Sequence, residues 1–265
     1  MKEKLERFAR LSGFGIDCFD ELGSTNDTAR DPRYGAGDVV LAERQTAGRG
    51  QRGNSWSSGT GLNLTFSVVL CPDFLPAARQ FYVSKIVALA VSDTLVRWGI
   101  EARIKWPNDI YIGDRKVAGI LIENDLCGRY MARSVVGVGL NVNQTEFDAS
   151  LPNPVSMALC AGRSFDRAEV FGTFYRCLSE RYDMLAAEQE GRIDADYLAR
   201  LYRLNEEHIF TDGRTGERFS GTIRGVLPAG DLEIESGGER RRYLFKEVEY
   251  VIGAEAGSRN FLRSM

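Results

Sequence analysis

Three glycines within six residues, between two apolar runs, exclude a helix at that point of the chain. Gly48, Gly50 and Gly53 are interleaved there with Arg49 and Arg52. Glycine lets the backbone adopt positive φ and approach a ligand closely. Arginine offers a planar fork of donors that matches phosphate or carboxylate. The sequence therefore predicts a loop that closes over an anionic ligand.

Trp56 follows these glycines and adds a flat apolar face, which suits a ligand that carries a ring. Two other interpretations of the stretch stay open. Its G-x-G-x-x-G spacing matches a dinucleotide fingerprint, but that fingerprint requires a helix directly afterwards, and residues 54–61 are poor helix formers. A glycine-rich surface loop without a ligand is the other alternative.

Composition bounds the class of protein. With 265 residues, the chain can form one large domain, or a main domain with a small appendage. Its net charge of -3 argues against a dedicated nucleic-acid binder, which is usually basic. Five cysteines without a C-x-x-C pair favour free thiols in a reducing cytoplasm. The sequence shows neither a signal peptide nor a stretch of transmembrane length, so we expect a cytosolic protein with no membrane partner.

The chain has one histidine, His208, and this restricts its chemistry. It lies in a polar run, so serine–histidine catalysis and multi-histidine metal sites have little support. Any chemistry therefore rests on lysine, arginine, carboxylates and the backbone. The sequence assigns no metal ligand.

Apolar periodicity predicts strands and helices up to about residue 204. The alternation along 62–70 predicts a half-buried strand. Residues 100–112 are expected to form one strand that Pro107 stops. The other predicted strands are 16–22, 38–43, 116–123 and 130–142, and the predicted helices are 1–15, 81–98, the stretch opened by Asp166 and a short one around Leu198.

After Asn205 the pattern changes to short β-like runs. Turn signals such as Asp212–Gly213 and Gly237–Gly238 separate them, and no helical spacing interrupts them. This pattern favours a small β-barrel appended to an α+β domain. We expect a first domain over 1–204 and a second over 205–265.

Two further segments carry candidate ligand contacts. Ser24, Thr25 and Asn26 supply hydroxyl and amide groups, which either cap a helix or face a polar ligand head. Lys116 opens an apolar strand, so its ammonium either snorkels to the surface or faces a site. Gly119, inside that strand, is typical of close approach by a backbone or a ligand.

Five ordered segments together resemble the biotin protein ligase family, across roughly residues 15–252. They are Ser24–Asn26, Gln45–Gly53, Lys105–Asp109, Lys116–Glu123 and Gly137–Asn143. The resemblance implies a mixed β-sheet flanked by helices, in the class II synthetase-like biotin/lipoate ligase fold, followed by an SH3-like β-barrel. Repressor members of the family carry an N-terminal helix-turn-helix domain. Only 23 residues precede Ser24, so the resemblance implies the short type that does not bind DNA.

The resemblance also implies an activity. Such a ligase uses ATP and Mg²⁺ to activate biotin as biotinyl-5'-AMP and transfers it to a lysine of a biotin carboxyl carrier protein domain. A lipoate protein ligase of the same fold and a non-catalytic SH3-like interaction protein stay as alternatives. A homodimer and a monomer both stay open, with the strand ending near Asn143 as the candidate pairing edge.

Positions in the matching segments imply the roles of individual residues. The catalytic residues would be Lys116, Arg49 and Arg52. The biotin-binding residues would be Ser24, Thr25, Asn26, Gln45, Gly48, Arg49, Lys116 and Gly119. The residues that contact ATP or the adenylate would be Arg49, Arg52, Trp56, Lys105, Asn108, Lys116 and Asn141. One position departs from the pattern, because many family members carry arginine where this chain has Gln51.

Overall fold

Two β-sheets and a set of α-helices make up the structure, a computed structural model that describes residues 1–252 apart from the side chain of Arg52. The helices are α1 (Lys2–Ser12), α2 (Thr25–Ala29), α3 (Phe81–Arg97), α4 (Met157–Ala161), α5 (Arg167–Ala186) and α6 (Glu190–Ala199). The first seven strands are β1 (Ile16–Leu22), β2 (Val39–Gln45), β3 (Leu64–Leu70), β4 (Arg103–Lys105), β5 (Asp109–Ile112), β6 (Arg115–Cys127) and β7 (Tyr130–Leu140). The last five are β8 (Glu207–Asp212), β9 (Arg218–Val226), β10 (Leu232–Ser236), β11 (Glu239–Tyr243) and β12 (Val248–Tyr250).

The larger sheet has seven strands in the order β1-β2-β3-β7-β6-β5-β4. Its β1 and β2 are parallel, and its other neighbours are antiparallel. Helices α3 and α5 pack together against one face of this sheet. These findings confirm the predicted mixed sheet flanked by helices.

Helix α5 shows how the sequence builds the packed face. Asp166 caps it, because its side chain accepts a hydrogen bond from the Ala168 amide at 2.9 Å. Inside the helix, the rings of Phe171 and Phe174 meet Phe66 of β3 edge-on, with centroids 5.1 and 5.0 Å apart.

Among the described residues, no helix is both long and apolar enough to cross a membrane.

Strand β3 is buried along its whole length, so the prediction that it is half-buried was wrong. One face, with Phe66, lies under α5. The other face, with Thr65 and Ser67, is covered too, because α2 contacts β2, β3 and β7 there. Small hydroxyl side chains fit beneath α2, where Ser67 bonds to Thr25 at 2.8 Å. The alternation of apolar and polar residues along the strand reflects the polarity of the side chains and not their exposure to solvent.

Residues 100–112 were predicted to form one strand that Pro107 stops. The stop is confirmed, but a second strand follows it, which the prediction missed. These residues form the antiparallel pair β4 and β5, with Lys105 opposite Asp109. Pro107 lies in the turn, where it lacks the N–H that a continuing strand needs. The turn places Asn108 and Asp109 beside β6.

The smaller sheet is antiparallel, in the order β11-β10-β9-β8-β12. It agrees with the predicted strands of an SH3-like domain. It contacts the larger sheet through Trp106, whose indole Nε1 donates to the Gly230 carbonyl at 2.8 Å. The domain boundary at residue 205 stays a prediction, and residues 253–265 of the second predicted domain lie outside the described residues.

Candidate active-site cleft

A cleft opens on the face of the larger sheet opposite α5. Strands β6 and β7 form its floor, and residues 45–56 and the start of α2 form much of its rim. The structure brings into its lining nine predicted residues: Ser24, Thr25, Asn26, Gln45, Arg49, Trp56, Asn108, Lys116 and Gly119. It therefore joins four of the five segments on which the resemblance rests, and the fifth segment supplies Gly137 and Gly139 to the same floor.

Two glycines form the centre of the floor. Gly119 of β6 and Gly139 of β7 pair across the sheet. A Cβ at Gly139 would overlap the indole ring of Trp56, and one at Gly119 would lie 3.2 Å from it. The indole therefore lies close over bare backbone, which a larger residue at Gly139 would prevent.

The glycine–arginine loop folds as a small hairpin over the cleft. The Trp56 amide donates to the Gly48 carbonyl at 2.9 Å, and the Gly50 amide donates to the Asn54 carbonyl at 2.7 Å. Gly48 does not line the cleft, although it was predicted to bind biotin. A Cβ at Gly48 would overlap the Trp56 carbonyl oxygen. Glycine is therefore needed at this position for the two arms of the hairpin to approach each other this closely.

The cluster Ser24–Asn26 combines the two alternatives that the sequence left open. Ser24 is the N-cap of α2, accepting from the Asp27 amide at 3.5 Å, and it also lines the cleft. The Thr25 amide donates to Gln45 Oε1 at 2.6 Å, which fixes the Gln45 side chain at the cleft. Capping and lining are therefore performed by the same segment.

Lys116 faces the cleft rather than the bulk surface. Its ammonium nitrogen lies 2.7 Å from Asp109 Oδ1 and 5.9 Å from the centroid of the Trp56 ring. About a third of the Lys116 side chain is exposed, at 33%, so an incoming anion can reach it. Together with Arg49, which lines the same cleft, it supplies positive charge over the glycine floor.

Arg49 is held at the rim by two carboxylates. Its guanidinium lies 2.6 Å from Asp27 and 3.0 Å from Glu123. Arg52, the other predicted catalytic arginine, has a side chain outside the described residues.

Two buried polar atoms in the lining lack a partner among the described residues. They are Gln51 Oε1 and Trp56 Nε1, one acceptor and one donor. Buried polar groups in proteins are nearly always hydrogen-bonded. This pair therefore indicates that a polar ligand or water completes the cleft.

Asn141 does not line the cleft, although it was predicted to contact the nucleotide. Its side-chain amide donates to the Val155 carbonyl at 3.0 Å, and its backbone amide donates to the Val117 carbonyl at 2.9 Å. These bonds tie the end of β7 to the segment before α4. Its contribution to the site is thus to hold the backbone beneath Lys116.

Lys105 also lies outside the cleft lining, and its predicted contact with ATP stays a prediction. Its ammonium is 4.5 Å from the ring centroid of Tyr250, which belongs to the smaller sheet, and 5.5 Å from that of Tyr111. Burial lowers the pKa of Lys105 and raises the pKa of Tyr111 to about 12. The structure places Lys105 at the contact between the two sheets.

Sequence reasoning did not single out Asp109, Gln51 or Gly139 as site residues, and all three line the cleft. Asp109 and Gly139 lie within segments that carried the resemblance, so a signal for them was present. Gln51 was noted only as a departure from the family pattern. Its place in the lining follows from the fold of the loop, which no local pattern specifies.

Comparison with known proteins agrees with this fold. The model of the biotin/lipoate A/B protein ligase family matches residues 20–141. Among solved structures, the biotin protein ligase from Aquifex aeolicus in complex with biotin and ATP is similar, with a TM-score of 0.76 and 26% identity, over 89% of this chain and 99% of that one. The fold and the cleft therefore define a ligase of the biotin/lipoate class.

Relatives similar in sequence identify the family within this class. The bifunctional ligase/repressor BirA of Escherichia coli (strain K12) is 32% identical over 252 residues, which cover 90% of this chain and 75% of that protein. The biotin--[acetyl-CoA-carboxylase] ligase of Paracoccus denitrificans is 33% identical over 224 residues, which cover 81% of this chain and 90% of that protein. The chain belongs to the biotin protein ligase family.

Proposed function

We propose that this protein is an ATP-dependent biotin protein ligase. In the first step, the biotin carboxylate attacks the α-phosphorus of ATP, which forms biotinyl-5'-AMP and releases pyrophosphate. In the second step, a lysine amine of a carrier protein attacks the acyl carbon, AMP leaves, and the amine loses a proton. The observation that carries this proposal is the shared cleft in which Lys116 and Arg49 lie over a glycine floor.

Charge, rather than proton transfer, is what the first step needs. The carboxylate is already ionised at neutral pH, so no general base is required. Fixed positive groups stabilise the charge that grows on the phosphoryl oxygens. Lys116 and Arg49 supply such charge, and we assign the same role to Arg52. His208 pairs with Glu206 at 3.0 Å in the smaller sheet and has no part in this step.

The lining divides into two sides in this proposal. Ser24, Thr25 and Gln45 offer small polar groups to the biotin rings, and the bare backbone of Gly119 lets the acyl chain pass. Trp56 offers its face to adenine. Asn26 belongs to the lining on the biotin side. Gly48 and Asn141 support the lining from behind, through the contacts described above.

The chemistry of the donors fits a magnesium ion that arrives with ATP. Mg²⁺ is typically held by one or two carboxylates together with substrate phosphates, rather than by an all-protein cage. No group of three or more histidine, cysteine or acidic residues suited to a metal occurs within the described part of the chain. Asp109 and the side-chain oxygen of Asn108 line the cleft and would hold the ion, which would neutralise phosphate charge.

The acceptor in this proposal is a biotin carboxyl carrier protein domain. Its lysine must reach the acyl carbon from the open side of the cleft. We also propose a cytoplasmic location, which agrees with five cysteines that are all free thiols.

Calorimetric titration with biotin, and separately with lipoate, tests the substrate. We expect saturable binding of biotin, and release of pyrophosphate when ATP is added to the biotin complex. Binding of lipoate with no binding of biotin would replace this proposal by a lipoate ligase. Binding of neither acid would contradict the assignment of the cleft.

A further inference from the structure

Glu123 is the last residue of the segment Lys116–Glu123, on β6. Gly119, Leu121 and Glu123 alternate along β6, so they share one face of the sheet. Gly119 and Leu121 line the cleft. Glu123 therefore lies one step further along the same face, at the margin of the cleft.

The Glu123 carboxylate joins three parts of the chain. Its Oε2 accepts a hydrogen bond from Asn26 Nδ2 at 2.9 Å. Its two oxygens accept from one Arg49 guanidinium nitrogen at 3.0 and 3.2 Å. Arg30, just after α2, places a guanidinium nitrogen 3.6 Å away. Only 19% of the Glu123 side chain is exposed, so these contacts are screened less than those of a surface ion pair.

The contact with Asn26 fixes the segment beside the biotin side of the cleft. Asn26 Oδ1 accepts from Ser67 at 2.6 Å, and Asn26 Nδ2 also donates to the Leu121 carbonyl at 3.3 Å. Its second donor bond goes to Glu123. Both amide hydrogens are thus used within the protein, and the orientation of Asn26 is set.

The contact with Arg49 fixes the loop. One terminal guanidinium nitrogen of Arg49 donates both to Asp27, in α2, and to Glu123, in β6. The loop that carries Arg49 also carries Trp56, which lies over the floor. An acceptor that serves an amide and a guanidinium together must present acceptor atoms in both directions, and an ionised carboxylate does so.

We propose that Glu123 is a positioning residue that holds the glycine–arginine loop and Asn26 in the geometry that binds biotin. It acts through Arg49 and Asn26 and does not contact the substrate. That the ligand is biotin rests on the proposed function, whereas the positioning of the loop by Glu123 does not.

Glu123→Gln tests this role, because glutamine can still accept from Asn26 but removes the negative charge and places an amide NH2 group where Oε1 accepts from Arg49. The control is Asp125→Asn, which removes a charge from an exposed position two residues further along β6. Calorimetry with biotin measures the affinity, and hydrogen exchange of the unliganded protein measures the protection of the Gly50 and Trp56 amides.

We expect Glu123→Gln to weaken biotin binding about ten- to a hundred-fold, as the loss of a charged hydrogen bond does. The KM for biotin should rise more than kcat falls, and exchange of the two loop amides should accelerate. Asp125→Asn should behave like the wild type. In an Arg49→Ala background, Glu123→Gln should lose most of its effect, because the two side chains act as a pair.

Wild-type affinity and wild-type loop exchange in folded Glu123→Gln would overturn the inference. If the wild type itself fails to bind biotin, the proposed function fails, and loop exchange alone then decides the role of Glu123. If Glu123→Gln does not fold, exchange in Arg49→Ala decides, since loss of the same ion pair must loosen the same amides. An unchanged loop in that variant would also overturn the inference.

Discussion

Two lysines on strands of the same sheet have very different surroundings. Lys105, at the end of β4, lies between the rings of Tyr111 and Tyr250, where burial lowers its pKa. Lys116, near the start of β6, lies at the cleft with Asp109 at 2.7 Å. None of the described carboxylates lies within ion-pair distance of Lys105.

The difference bears on which of the two lysines can meet a phosphate in the proposed reaction. The Lys116 ammonium has the Asp109 carboxylate beside it and an open side through which a phosphate can approach. Lys105 is enclosed by aromatic rings and by the smaller sheet, and its side chain packs against the rings of Tyr111 and Tyr250 at the contact between the sheets. Both residues belong to segments that resemble the family, and only their surroundings separate their roles.

Lys116→Ala should have the largest effect of the substitutions considered. Loss of one preorganised positive group typically lowers the rate by ~10²–10³-fold. We expect that loss in the release of pyrophosphate from biotin and ATP, in a variant that stays folded because Lys116 is partly exposed. A folded Lys116→Ala with nearly wild-type release would remove the distinction between the two lysines.

Gly139→Ala should have an intermediate effect and tests the floor beneath Lys116. The added Cβ would overlap the Trp56 ring, so the indole must leave its place. If Trp56 stacks on adenine, the KM for ATP should rise about ten-fold, in the range of a lost aromatic stack.

Gly225→Ala is the matched control for Gly139→Ala. Gly225 lies in β9, and a Cβ there would meet nothing within 4 Å among the residues that the structure describes. We expect no change in the KM for ATP in this variant. An unchanged KM in Gly139→Ala would show that the position of Trp56 does not matter to the nucleotide.

Lys105→Met should have the smallest effect on the reaction, with release of pyrophosphate close to that of the wild type. Its effect should appear in the free energy of unfolding instead. Because the folded pKa of Lys105 is lowered below its unfolded value of ~10.4, the unfolded state binds more protons between those two values. The contribution of this position to the free energy of unfolding therefore decreases as pH falls through the folded pKa. It increases as pH rises towards the unfolded pKa.

Melting temperatures of the wild type and Lys105→Met, measured from pH 7 to pH 9.5, test that sign. The melting temperature of the wild type should increase relative to that of the variant as pH rises. A constant difference between the two proteins would mean that Lys105 is not desolvated. A large loss of pyrophosphate release in Lys105→Met would instead support the predicted contact of Lys105 with ATP.

Local patterns were sufficient to predict much of this molecule. The glycines around Arg49 predicted a loop, and the apolar run after Lys116 predicted a strand with a lysine at its start. The capping side chain of Asp166 and the periodicity of the following helix predicted α5. These features depend on neighbours within a few residues, so one sequence is enough to reveal them.

Distant contacts decided what the sequence did not reveal. Lys105 became buried because Tyr250, far along the chain, packs over it. Ser67 became buried because α2 covers it. The partnership of Arg49 with Glu123 joins two segments that no local pattern relates. Such contacts form only when the sheet is assembled.

Mass spectrometry of the protein after incubation with biotin and MgATP, without a carrier protein, tests the central claim most directly. The wild type should yield biotinyl-5'-AMP, Lys105→Met should yield a similar amount, and Lys116→Ala should yield little. Absence of the adenylate from the wild type, or equal amounts from the wild type and Lys116→Ala, would contradict the account.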